Sequence, residues 1–98
     1  MLTSKQRAIL RSQANSLDPV FQIGKGEIDE TMTRSVSECL AVRELIKLKV
    51  LEGSLYSARE AADRMAQATG ADVVQVIGSK FVLYLQKEKD SKYADLLR

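Results

Sequence analysis

Residues Ile28, Met32, Val36 and Leu40 recur at every fourth position, with Cys39 beside them. That spacing gathers apolar side chains on one stripe of a helix and predicts a buried face. Asp29, between Ile28 and the rest of the periodic run, has a side-chain oxygen suited to capping the first turn. In the next run, "LIKLKVL", the period changes: Ile46, Leu48 and Val50 alternate with Lys47 and Lys49. A period of two is that of a half-buried strand and puts both lysines on one sheet face.

The same reading extends in both directions. Thr3 and Gln6 stand in capping-box spacing, and Ala8, Ile9, Leu10, Ala14 and Leu17 supply an apolar stripe. A helix to about Ala14 follows, with Lys5, Arg7 and Arg11 off the stripe and Arg7 and Arg11 stacked at i, i+4. Asp18-Pro19 is a break, because Pro19 fixes its own φ and drives Asp18 out of helical space. "VFQI" then forms a short strand that runs into Gly24-Lys25-Gly26.

Beyond the alternating strand, "EGS" ends the pattern and Ser57 with Glu60 makes a second capping box. Ala58, Ala61, Ala62, Met65 and Thr69 give the following helix a small-residue face suited to close packing on a sheet, and Gly70 stands where a helix-ending glycine is expected. In "DVVQVIGSKFVLYLQK", two β-rich runs flank Gly78-Ser79, a type II′ hairpin signal. The first run is apolar almost throughout and is expected to be a central strand. Phe21, Phe81 and Tyr84 fall within strand patterns and are read as core, Tyr56 and Tyr93 as exposed. After Lys87 the charged stretch "EKDSKYADLLR" is expected to be a loose tail or a short helix.

The order α-β-α-β-α-β-β predicts an α/β fold, a two-layer sandwich whose four-stranded mixed sheet has helices packed on it. The domain is placed at residues 1–87 and the charged tail at 88–98. A length of 98 residues, 45% hydrophobic and 29% charged, is that of one small globular domain. Cys39 is the single cysteine and there is no histidine, so neither an intrachain disulfide nor a zinc set is expected, and Cys39 reads as a packed apolar residue. No metal and no cofactor are anticipated. Basic residues interrupt "MLTSKQRAIL" before any apolar run forms, which is unlike a signal peptide, and no stretch approaches the roughly 18 apolar residues of a membrane span. A cytoplasmic location, with no membrane partner, is the expectation.

A net charge of +2 is too small to argue for nucleic acid, so the distribution of charge has to carry that argument. The chain is not expected to be an enzyme. It lacks histidine, a nucleophile with a base and a full Walker frame, and its carboxylates read as caps and surface charges. Gly24-Lys25-Gly26 is the motif with chemical content. A helix N-terminus carries unpaired N–H groups and partial positive charge, glycines let a phosphate backbone approach, and Lys25 adds a mobile cation. The other reading is a turn whose helix-end charge is met by its own anions, Glu27, Asp29 and Glu30.

Three segments, "LTSKQRAILRSQANSLDPVFQIGKGEIDE", "VRELIKLKVL" and "ATGADVVQVIGSKFVLY", together with the spacing between them, resemble the CRM domain family (chloroplast RNA splicing and ribosome maturation) in its bacterial single-domain form. The resemblance runs from about Leu2 to Tyr84. It implies an RNA-binding domain linked to assembly of the large ribosomal subunit, with ribosomal RNA as partner. It also implies a Gly-x-x-Gly loop in contact with RNA. Gly24 fills the first glycine, Lys25 the basic position and Gly26 the variable one, while Glu27 stands where the family has its second glycine. The remaining footprint is expected from Lys5, Arg7 and Arg11, with Lys47, Lys49 and Lys80 as weaker candidates. The rival reading is a protein-interaction module without RNA contact. One contiguous basic face would favour RNA over a neutral apolar patch.

Overall fold

The computed structural model describes residues 2–97. The Thr3 hydroxyl accepts the Gln6 N–H at 3.1 Å while the Gln6 amide oxygen accepts the Thr3 N–H at 3.0 Å. This reciprocal cap opens α1, Ser4–Ala14. The short strand β1, Phe21–Ile23, follows the Pro19 break. Asp29 accepts the Met32 N–H at 2.8 Å and starts α2, Glu30–Arg43. The alternating run is β2, Leu45–Val50. The Ser57–Glu60 box opens α3, Ala58–Thr69, which Gly70 closes in the left-handed conformation at φ 81°. Asp72–Ile77 and Lys80–Tyr84 are β3 and β4. At the turn between them Gly78 has φ 57° and Ser79 does not share a positive φ, as a type II′ hairpin requires.

The sheet order is β1-β2-β4-β3, with β1 parallel to β2 and the other pairs antiparallel. The main sandwich is formed by this sheet with α2 and α3. Val36 and Leu40 of α2 and Ala61, Ala62 and Met65 of α3 enclose Ile23, Ile46, Leu48, Phe81 and Leu83. Cys39 packs against this cluster. Val36 itself is fully buried. On the opposite sheet face α1 makes a second, smaller cluster, where Leu10 and Ala14 cover Leu45, Val74, Val82 and Tyr84.

Strand β3 was expected at the centre and lies at the edge. Its apolar run has another cause. Helices cover both of its faces, so Val73 and Val76 enter the main core while Val74 enters the second. A bulge between Val73 and Gln75 allows two adjacent valines to serve opposite faces. The run thus reports cover on two faces, which a central position would also produce.

A second departure concerns Glu44, since the carboxylates were read as caps and surface charges. Glu44 is fully buried. It follows α2 with φ 65° and ψ −46°, a region costing a non-glycine residue about 1–3 kcal/mol. Its carboxylate accepts the Ser91 hydroxyl and the N–H groups of Lys92 and Lys87, and its carbonyl accepts the Leu85 N–H at 2.9 Å. The segment after Lys87, expected as a loose tail or a short helix, is therefore a series of turns tied to the α2–β2 junction. Tyr93 and Leu97 pack on the second cluster, Tyr93 edge-on to Tyr84 at 6.0 Å, and the Gln6 amide donates to the Leu97 carbonyl at 3.0 Å.

Two stability outcomes follow. Val36→Asp places an unpartnered carboxylate in the main core and is expected to cost at least about 4 kcal/mol, so urea melts should show no cooperative transition. Glu44→Ala removes the acceptor for three donors. A loss of about 2–4 kcal/mol is expected, with amide exchange accelerated across residues 87–97 before the sheet. Unchanged exchange in that segment would mean the carboxylate does not hold it.

Candidate nucleic-acid interface

Because β1 and β2 are parallel and β4 runs against them, three connections meet at one end of the sheet. They are the Gly24-Lys25-Gly26 loop, the 51–57 loop before α3, and the 78–79 hairpin, whose Ser79 carbonyl accepts the Val50 N–H at 2.7 Å. Both α2 and α3 begin at this loop end, so their positive dipole ends point to it. Their first turns are, however, largely capped from within. Asp29 serves α2, and Ser57 with Glu60 serves α3 at 3.1 Å in each direction. The Ser57 N–H holds the Glu60 carboxyl below its ordinary range, helped by the Ser57 hydroxyl. That contribution is present at neutral pH and fades as pH falls through the lowered value.

What remains free for an anion is the loop itself. No hydrogen bond within the described chain engages the N–H groups of Lys25, Gly26 and Glu27. Neither glycine of the loop has a positive φ, and neither has Glu27. Glutamate in place of the family's second glycine therefore causes no backbone strain here. A Cβ on Gly26 would meet nothing within 4 Å, so this position is open to an approaching backbone.

The left-handed glycine is found across the way, in the turn after β2. Gly53 has φ 86°, and a Cβ built on it would lie 3.3 Å from Lys25 Cε. The Lys25 stem thus rests over Gly53, and the second loop sets where the lysine of the first can go. The "EGS" stretch carried this signal only as a chain break. Contact between residues 28 positions apart, in two separate loops, cannot be seen in either loop alone.

Lys47 and Lys49 share one sheet face, as their alternation implies, and Lys80 joins them. The register places Gln22, Lys49, Lys80 and Ile77 in one row across all four strands, with Lys49 directly opposite Lys80. Directly opposed like charges destabilise a sheet unless something negative lies over them. α1 lies on this same face but covers the other end of it, from Leu45 to Tyr84. The two ends of the row are exposed, Gln22 on β1 and Ile77 at 58% on β3, while Lys49 and Lys80 between them are half-buried. Lys47 sits one step nearer α1, in the cleft beside the 16–20 connection that also holds Asp18.

The α1 cations stand apart from the lysine loop. Arg7 and Arg11 reach the β3 edge, lining a groove with residues 73–76. Lys5 is exposed on the first turn, beside the Gln6 that holds Leu97. The loop lies at the β1 edge and the arginines at the β3 edge, about 14 Å apart across three strand spacings. Lys49 and Lys80 bridge the two.

The aromatic residues are occupied. Phe81 and Tyr84 are buried and Phe21 packs on the main cluster. Tyr56 and Tyr93, expected to be exposed, are both half-buried. Tyr56 lies under the Arg64 guanidinium at 4.9 Å, and Tyr93 is held by Tyr84. Such a surface meets a charged backbone and provides no free platform for stacking bases. Among the described residues no helix is long and apolar enough to cross a membrane, and no group of three or more metal-ligating side chains is gathered.

The family model for the CRS1 / YhbY (CRM) domain matches residues 2–84. A Bacillus subtilis relative named "Probable RNA-binding protein YqeI" is 38% identical over 96 residues, covering 98% of this chain and 99% of its own length. A Haemophilus influenzae relative named "RNA-binding protein" is 31% identical over 88 residues, covering 90% and 89%. The solution structure of the hypothetical protein SAV1595 from Staphylococcus aureus superposes with a TM-score of 0.79 at 43% identity, over 94% of this chain and 96% of that one.

Gly53→Ala tests the support of Lys25. A left-handed alanine costs about 1–2 kcal/mol, and the added methyl group displaces the lysine stem. A lower Tm together with shifted Lys25 side-chain NMR resonances is expected. A stability loss with the Lys25 resonances unmoved would remove Gly53 from the site.

Proposed function

The chain belongs to the CRS1 / YhbY (CRM) domain family, and from that membership we propose that it binds structured RNA through the lysine loop and the open end of the α1-bearing sheet face. The observation that carries this reading is the row beyond the reach of α1 in which the half-buried Lys49 and Lys80 oppose each other. Phosphates laid along that row relieve their repulsion, and each neutralised phosphate releases counterions. The loop adds Lys25, three unengaged N–H groups and an open glycine. With no aromatic platform free, the contacts are to backbone and shape, and sequence selectivity is expected to be weak.

The RNA we propose is ribosomal, within precursors of the large subunit, and the compartment is the cytoplasm. The support is the family's association with ribosome maturation and an interface wide enough to need a folded RNA. Sedimentation of a cell extract with an antibody against the protein tests this. Co-migration with precursor large subunits is expected, and recovery only in the unbound fractions would sink the ribosomal assignment.

Direct binding is tested separately by fluorescence anisotropy on RNA hairpins of unrelated sequence. Lys25→Glu and Lys49→Glu are each expected to weaken all of them by about tenfold and to flatten the log–log salt dependence by roughly 0.7–0.9 per phosphate lost. Glu27→Gly removes a negative charge from the loop and should tighten binding. It also loosens the unfolded chain, so stability should fall by up to about 1 kcal/mol. Affinity that ignores all three substitutions would make the loop and the lysine row structural.

A further inference from the structure

The β3 edge carries a feature that the lysine loop and the lysine row do not use. Strand β3 pairs with β4 alone, so its other side is a free edge. Along that edge runs a groove of about 450 Å³, lined by the strand from Val73 to Val76 and by three arginines. Arg7 and Arg11 come from α1 on one sheet face. Arg59 comes from α3 on the other. No carboxylate is among the lining residues. Arg7 is half-buried, and its Nε is shielded from solvent without a hydrogen-bond partner. Arg59 is exposed and meets only Asp63, one turn on, at 3.4 Å, a contact of small weight for so exposed a pair.

We infer that this groove is a second phosphate-binding track. In it Arg59 of α3 acts together with Arg7 and Arg11, and the RNA backbone follows the β3 edge from the lysine face round toward the α3 face. The inference rests on the RNA-binding reading above and extends it to a residue on the opposite side of the sheet. Three guanidinium groups converging on a groove free of carboxylates suit a chain of phosphates, since each presents a planar fork of donors to two phosphate oxygens. A protein strand added to the edge is the other possible occupant. The bulge between Val73 and Gln75 counts against it, because it interrupts the row of backbone groups a pairing strand would need.

The test uses the whole chain, RNA hairpins of about 20 base pairs with single-stranded flanks, and Arg59→Glu. Arg34→Glu, on an exposed position of α2, makes the same change in net charge outside the groove. Arg59→Glu should weaken RNA binding by about tenfold and flatten the salt dependence, while Arg34→Glu should have a much smaller effect. Far-ultraviolet circular dichroism and Tm should be unchanged, as expected for an exposed side chain. Equal losses for the two variants would reduce the effect to net charge and overturn the inference. So would full affinity in Arg59→Glu alongside lost affinity in Lys25→Glu, which would leave RNA binding intact but confined to the loop side. Binding of an acidic peptide, abolished by Arg59→Glu while RNA affinity persists, would make the edge a protein-docking strand and equally overturn it. Failure of the unaltered chain to bind any hairpin would reject the RNA-binding reading itself.

Discussion

The antiparallel pairing of β2 with β4 is the constraint on which the rest of the molecule depends. It brings Lys80 opposite Lys49 and Val82 opposite Lys47, so residues over thirty positions apart form one surface. It also turns the hairpin toward the end where β1 and β2 finish, and it leaves β3 with a free edge. A one-residue slip would move every lysine of β2 to the core side, because strand side chains alternate with period two. The buried partners Leu48 with Phe81 and Ile46 with Leu83 forbid that slip. Hydrophobic register on one face thereby fixes the pattern of charge on the other.

The two faces are stabilised unequally, and function follows the weaker cover. α2 and α3 close one face with small and branched side chains. On the other, α1 covers only the Leu45–Tyr84 end, assisted by Tyr93 and Leu97 from the C-terminal segment. Glu44 joins the two halves. Its strained backbone ends α2, its carboxylate gathers the C-terminal turns, and those turns complete the cover beside α1. A buried carboxylate is tolerable there because its oxygens accept from three donors.

Charge in the site is likewise partitioned by the fold. The acidic residues near the loop end would cancel the lysines if all were free. Asp29 and Glu60 are instead spent on the first turns of α2 and α3, which leaves Glu27, Glu30 and Glu52 exposed, Glu52 in the cleft that Lys49 lines. The helix ends are thus satisfied internally, and the anion-seeking groups that remain are Lys25, its loop amides, and the Lys49–Lys80 pair. Glu27 fits this division without strain, since the loop asks no residue for a positive φ.

The sequence by itself determined what depends on neighbours a few positions apart. Both capping boxes, the α2 stripe from Met32 to Leu40, the period-two lysines of β2 and the glycine turns are local devices. Hydrogen bonding over three residues, or side-chain periodicity, makes each of them, and all are legible in the chain. Lys47 and Lys49 on one face follow from the same logic. Tertiary structure alone decided the remainder. The edge position of β3 was hidden because apolar side chains report burial on each face and say nothing of how many strands flank them. Glu44 looked like one more surface charge because its donors lie over forty residues away. The rest of Lys25 on Gly53 and the meeting of Arg59 with Arg7 and Arg11 arise only when separate elements are folded against one sheet. Local chemistry specifies the elements, and long-range register specifies which charges become neighbours.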